Sequence, residues 1–335
     1  MPAKVRVGFV GAGGVATNHF RALAGMKDAH MVAFCDINKQ RLAEVTGQYG
    51  GEGFRDAGKM YAKMDLDCVF ICLPPFAHGE AEFGAIENGI PFIIEKPINN
   101  DIKQATKIAK GVKETGLLTS VAYMNRYRKG INTMRKLLQK DPPILVLGGW
   151  IGGEPRGRAP ILNWWIQKKL SGGQMVEQVT HTVDLVRYLC GEAKEVWAAR
   201  EKGRVKGIPK YTIDDAVAAS IKFQAGAVAN IHSCCASNAG GGVVLKVYAN
   251  KVMGDFNGWG HDATIHQAGK EPEQIPGEGN IFEIEDAAFI KAVKTGKADP
   301  ILCTYADGLE TLRITLAMNE SLETRQPVKI RPAKA

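Results

Sequence analysis

Glu177, His181 and Asp184 stand at i, i+4 and i+7 in the stretch SGGQMVEQVTHTVDL. At about 100° per residue, a helix brings them onto one stripe roughly 60° wide. Val176, Val179, Val183 and Val186 frame that stripe. Two carboxylates beside an imidazole suit metal ligation, a proton relay or a satisfied structural patch, and this stretch alone leaves all three readings open. A second charged group stands in PFIIEKPI, where Glu95 and Lys96 close an apolar run just before Pro97. Charges at the end of a buried strand are costly unless they face a cleft, so Lys96 is expected to point into one. The bond before Pro97 can be cis.

A third constellation suits phosphate. GFVGAGGVAT holds Gly11, Ala12, Gly13, Gly14, Val15 and Ala16 between an apolar run and a helical pattern. Gly11 allows a tight turn, Gly13 the close approach of backbone to a pyrophosphate, and Ala16 close helix packing. The helix N-terminus adds unpaired N–H groups and partial positive charge. Asp36 closes the next apolar run, where an acid accepts the ribose hydroxyls of adenosine and repels a 2′-phosphate. No arginine follows it directly, which favours NAD over NADP. Leu73 and Pro74, with His78 beyond, end another strand on the side where ligands bind, and Glu95 and Lys96 end the next. These residues form the expected cofactor set, although Asp36 and His78 also suit plain helix capping.

The elements that must position these groups follow from hydrophobic periodicity. Through residue 123, short continuous apolar runs (VRVGFVG, HMVAFCD, LDCVFICLPP, PFIIEKP, LLTSVAY) alternate with helical patterns. That is the rhythm of a parallel sheet covered on both faces. Beyond it, longer alternating runs joined by Gly-containing turns predict antiparallel strands, and two helical stretches close the sequence. The expected architecture is an α/β Rossmann domain over 1–123 and an α+β domain with a large, mostly antiparallel sheet over 124–335.

The remaining composition narrows the class. Net charge is +8, but the basic residues are scattered among acids, which argues for an anionic cofactor and against nucleic acid. No run approaches the length of a membrane span, and the first residues lack the apolar core of a signal peptide. The seven cysteines form no CxxC array and read as buried free thiols of a cytoplasmic protein.

Gly11–Ala16, Asp36, the Glu95-Lys96-Pro97 tripeptide, His181-x-x-Asp184 after a glycine pair, and Tyr305-Ala306-Asp307-Gly308-Leu309 occur in the order and spacing of a known family. The chain resembles the Gfo/Idh/MocA oxidoreductases, which include glucose–fructose oxidoreductase and inositol dehydrogenases. The resemblance implies hydride transfer between NAD and a secondary alcohol of a sugar, cyclitol or polyol, with no metal. An NADPH-dependent keto-sugar reductase and a non-catalytic NAD-binding protein are the alternatives. It also implies a homodimer or homotetramer through the open face of the second sheet. In the family an aspartate stands four residues before the histidine and a glycine two before it; here they are Glu177 and Val179. The resemblance thus assigns His181 as general base, Asp184 as the group that orients it, Lys96 as donor to the reacting oxygen and Glu177 as a contact to a neighbouring hydroxyl. Arg126, Arg156 and the adjacent Trp164 and Trp165 complete the expected substrate set, with Arg158, Lys168, Trp259 and His261 as further candidates. Two neighbouring tryptophans point in different directions, so one of the pair is expected in the core.

Overall fold

The computed structural model describes residues 4–157 and 159–331; Arg158 lies outside them. The chain divides into two compact units, Met1–Met124 with Asn280–Leu309, and Asn125–Gly279 with Glu310–Ala335.

In the first unit, strands β1 (Val5–Val10), β2 (Ala29–Cys35), β3 (Glu52–Phe54), β4 (Cys68–Ile71), β5 (Phe92–Ile94) and β6 (Thr119–Val121) form one sheet. Its order is β3-β2-β1-β4-β5-β6, and every pair is parallel. The strand order reverses between β1 and β4, the position at which such sheets open a ligand crevice. Helices Ala16–Ala24, Lys39–Tyr49, Ala57–Lys63, Glu80–Glu87 and Ile102–Thr115 come from the same stretch of chain. Residues 280–309, which the sequence reading placed in the second domain, pack in this unit. The reason is apolar: Phe289 and Ile290 of helix Ile281–Thr295 share a core with Phe9, Phe20 and Phe70. The rings of Phe70 and Phe289 meet edge-on at 5.7 Å.

The second unit holds β7 (Leu145–Ile151), β8 (Ala193–Glu201), β9 (Ala216–Phe223), β10 (Val228–Cys234), β11 (Gly242–Tyr248), β12 (Val252–Asn257), β13 (Asp262–Gln267), β14 (Glu273–Ile275) and β15 (Val328–Lys329). Their order is β14-β13-β12-β11-β7-β10-β9-β8-β15, antiparallel except where β7 meets β10. Strict alternation gives the sheet two unlike faces. On one, Val146, Ala198, Ala219, Ile231 and Leu245 are buried with residues of helices Lys129–Leu138, Thr180–Cys190 and the later part of Tyr305–Thr324. On the other, Leu147, Trp197 and Val228 remain 38, 46 and 45% exposed. Among the described residues no helix is long and apolar enough to cross a membrane.

At one edge of this sheet the Arg128 guanidinium donates to the carbonyls of Glu278 and Trp259, at 3.2 and 3.0 Å. His261 is buried nearby and its Nδ1 lies 3.3 Å from the Trp259 carbonyl, whereas Trp259 is 55% exposed. His261 is therefore an interior residue of the second unit. Burial, and then the Arg128 charge, push its pKa down to about 4. The unfolded chain takes up a proton here near pH 6.5 while the native chain does not, so stability falls as pH drops from 6.5 to 4. The loss reaches about 3 kcal/mol over that window. His261→Asn, suited to the positive φ at this position, is expected to remove this part of the acid sensitivity in urea titrations at pH 7 and pH 4.5.

Candidate active site

The glycine turn leaves β1 at the crevice. Gly11 has φ +90°, and a Cβ there would lie 2.3 Å from the Cys72 carbonyl oxygen, so only glycine fits. Gly13 differs: a Cβ there meets nothing within 4 Å. Its smallness serves space outside the chain, which suits a pyrophosphate lying against the backbone. Gly14 is likewise open, Val15 is half-buried, and Ala16 is fully buried in the core. No side chain caps helix Ala16–Ala24, and such an open N-terminal end suits an anion.

Asp36 has two backbone partners. Oδ2 accepts the Ala12 N–H and Oδ1 the Asn38 N–H, both at 2.7 Å. Asn38, not Asp36, caps the following helix, accepting from Gln40 and Arg41. The acid is thereby aimed beside the glycine turn, with oxygen lone pairs left for ribose hydroxyls. Arg41 is turned inward, with Nε 2.6 Å from the Ala12 carbonyl and Nη2 2.9 Å from Thr17. It braces the turn and is not offered to a 2′-phosphate. Leu73 and Pro74 follow the end of β4 and are half-buried. His78 is not: it is buried and its Nδ1 lies 2.6 Å from the buried Glu82 carboxylate. That pair holds the start of helix Glu80–Glu87, the plain capping role the sequence also allowed for His78.

The Lys96–Pro97 bond is cis. From Phe92 to Asn99 every residue is buried except Lys96, which is half-exposed. Glu95 is turned inward, one oxygen accepting the Lys96 N–H at 3.0 Å and the other 3.2 Å from His19 Nε2.

In the second unit, the expected single stripe of Glu177, His181 and Asp184 is broken. Gln174–Glu177 forms a short turn of helix, and Thr180–Cys190 starts anew after Gln178 and Val179. The Val179 N–H closes back on the Gln174 carbonyl, and the backbone at Val179 leaves the helical region. Each carboxylate then has its own partner. Trp165 Nε1 donates to Glu177, and Trp165 is buried with Ile166, Ile213 and Cys235. It is the core member of the tryptophan pair; Trp164 is half-buried. Asp184 does not orient His181: it receives Arg126 through Nε at 2.8 Å and Nη2 at 2.7 Å, and the Thr311 hydroxyl at 2.9 Å. A guanidinium only 2% exposed needs a carboxylate of matching shape, and Asp184 supplies it. Arg126 is thereby a framework residue and not the expected substrate contact. His181 stands out differently. From Val179 to Arg187 it is the one residue that is not buried.

The cationic candidates are also engaged. Arg156 is 56% exposed and pairs with Glu154, donating also to the Lys206 carbonyl at 3.0 Å. Lys168 reaches Asp214 and Glu323 at 3.0 and 3.2 Å. A cavity of about 520 Å³ nearby is lined by Pro155, Leu162, Asn163, Ile166, Gln167 and Ile208 among others.

Sequence reasoning missed His19, Asp286 and Arg41. A signal existed for the first: His19 shares the buried stripe of Ala16, Phe20 and Leu23, where an unpaired polar group is costly. Its partners lie 76 and 267 residues away, beyond any local pattern. For the Arg126–Asp184 pair, Arg126→Met is expected to cost about 3–5 kcal/mol in urea denaturation, because it strands a buried carboxylate. The double variant Arg126→Met, Asp184→Leu is expected to recover part of that loss.

Three comparisons bear on this arrangement. Residues 5–123 match a family model described as an oxidoreductase family with an NAD-binding Rossmann fold, and residues 152–253 match the GFO/IDH/MocA C-terminal domain. The chain is 25% identical to scyllo-inositol 2-dehydrogenase (NAD(+)) of Bacillus subtilis strain 168, over 98% of this chain and 97% of the relative. It is 22% identical to myo-inositol 2-dehydrogenase of Thermotoga maritima, over 97 and 98%. Its fold is that of levoglucosan dehydrogenase in complex with NADH, with a TM-score of 0.88 at 21% identity over 98 and 99% of the two chains. Both halves thus match one family in the family's own order, and the chain belongs to the Gfo/Idh/MocA oxidoreductases as an NAD-binding enzyme.

Proposed function

We propose that the protein transfers hydride between NAD and a secondary alcohol of a sugar, cyclitol or polyol, with Lys96 and His181 as the reacting side chains. One observation carries the assignment: each is the single residue of a buried run that is not itself buried, in Phe92–Asn99 and in Val179–Arg187. Amine and imidazole are thus presented to a ligand while their neighbours hold the fold. NAD supplies the hydride acceptor. His181 takes the hydroxyl proton during oxidation and returns it during reduction, as suits an imidazole. Lys96 donates to the reacting oxygen and stabilises alkoxide charge as it develops. Glu177, steered by the Trp165 indole, contacts a neighbouring hydroxyl. Asp184 acts at a distance, by fixing Arg126 beneath its helix. Relatives named for inositols support the substrate class, and the Asp36 geometry supports NAD in preference to NADP. Seven free cysteines, six of them buried, support a reducing, cytoplasmic setting.

The open face of the nine-stranded sheet supports self-association. Leu147, Trp197 and Val228 lie on that one face, spread over the four consecutive strands β7, β10, β9 and β8. A cluster of that kind is usually covered by a partner, and the family resemblance points to a second copy of this chain.

Purified protein is expected to form NADH from NAD with at least one member of a panel of cyclitols, aldoses, glycosides and sugar acids, and to do so less well with NADP. Lys96→Ala and His181→Ala are each expected to lower kcat/KM by about 100-fold or more, while NADH still binds in a fluorescence titration. Near-normal turnover in either variant removes that residue's role. Light scattering is expected to show a dimer or tetramer, with Trp197→Glu shifting it toward monomer; a monomeric parent protein rejects the interface.

A further inference from the structure

Three ionisable side chains from distant parts of the chain meet inside the first unit. His19 lies on helix Ala16–Ala24, Glu95 follows β5, and Asp286 lies on helix Ile281–Thr295. His19 Nδ1 is 2.8 and 3.0 Å from the two oxygens of Asp286, and Nε2 is 3.2 Å from Glu95 Oε1. The other Glu95 oxygen accepts the Lys96 backbone N–H. The three side chains are exposed by only 1, 5 and 0%. Phe70 and Phe282 stand edge-on to the imidazole at 5.4 and 5.3 Å, so the polar contacts have an apolar surround.

Only a doubly protonated ring donates to a carboxylate from each nitrogen. Burial by itself lowers the imidazole pKa, but Asp286 and then Glu95 outweigh burial and hold it well above the ordinary 6.5. A buried ionic cluster of this kind adds little net stability over an apolar one, yet it fixes geometry, because His19 is held between Asp286 and Glu95, and Glu95 between His19 and the Lys96 peptide. What it fixes here is the last inward residue before Lys96. The imidazole in turn rides on the helix that begins at the glycine turn, so that turn and the lysine share one mount.

We propose that His19 and Asp286 are positioning residues for Lys96: they hold the Glu95 carboxylate, which holds the Lys96 peptide, so that the amine keeps one direction at the end of β5. This rests on the reading of Lys96 as donor to the reacting oxygen. His19→Gln, which retains one donor group but no charge, is expected to lower kcat about 10- to 100-fold with the polyol that turns over in the panel. KM and the NADH dissociation constant should change less than about threefold, since nothing the ligands touch is removed. Asp286→Asn should move kcat in the same direction, and it carries the test if His19→Gln unfolds below the assay temperature. The decisive comparison is a double-mutant cycle: in a Lys96→Ala background, His19→Gln should add less than about threefold to the loss. An unchanged kcat in His19→Gln, or a loss that multiplies in full on Lys96→Ala, overturns the proposal. If Lys96→Ala itself retains turnover, the role of the lysine fails, and this proposal fails with it.

Discussion

A parallel sheet presents apolar side chains on both faces, and both must be covered. In the first unit this requirement reaches past the first 124 residues. Helix Ile281–Thr295 supplies Phe289 and Ile290 to the core beneath β1 and β4. The same helix brings Asp286 against His19, and His19 faces Glu95 at the end of β5. The need to cover a sheet thus sets where the charges beside Lys96 come from. The carboxyl ends of β1 and β4, by contrast, meet an open glycine turn, where Gly13 leaves room and Asp36 is tied to the turn's own backbone.

The molecule treats its charges in two ways. Arg126 and Asp184, and His19 with Glu95 and Asp286, are taken inside and matched oxygen to nitrogen. Lys96 and His181 are the partly exposed members of otherwise buried runs. Matched interior pairs give rigidity, since burial and hydrogen bonds fix their geometry, whereas a half-exposed amine or imidazole can meet a ligand. The division also explains why a residue type alone misleads. Arg126 and Asp184 look as reactive in the sequence as Lys96 and His181, and only burial separates them.

Much of the fold was legible because its signals are local. VRVGFVG, HMVAFCD and CVFI are short apolar runs bounded by glycine, aspartate or proline, and each is a strand. The glycine turn and Asp36 were readable because cofactor contact there depends on backbone shape and a fixed spacing. What escaped notice lacks such a signal. β3 is only Glu52–Phe54, too short and too polar to alternate, and it exists because Cys35 and its neighbours offer a free edge. The break at Gln178 and Val179 escaped because HTVDLV continues the apolar period of the preceding turn, while Trp165 draws Glu177 aside. The partners of Asp184 and His19 are set by tertiary packing across tens to hundreds of residues, which no window along the chain contains.

The return of residues 280–309 to the first unit has a consequence for how the polypeptide matures on the ribosome. Synthesis proceeds from the N-terminus, so the six strands of the first sheet leave the ribosome long before their last covering helix exists. In the interval Phe70 lacks Phe289, and His19 lacks Asp286. The nucleotide-binding half therefore cannot close first and wait for the other. Its completion is tied to nearly the full length of the chain, and a nascent protein arrested within the second sheet would carry an apolar face that a chaperone can hold.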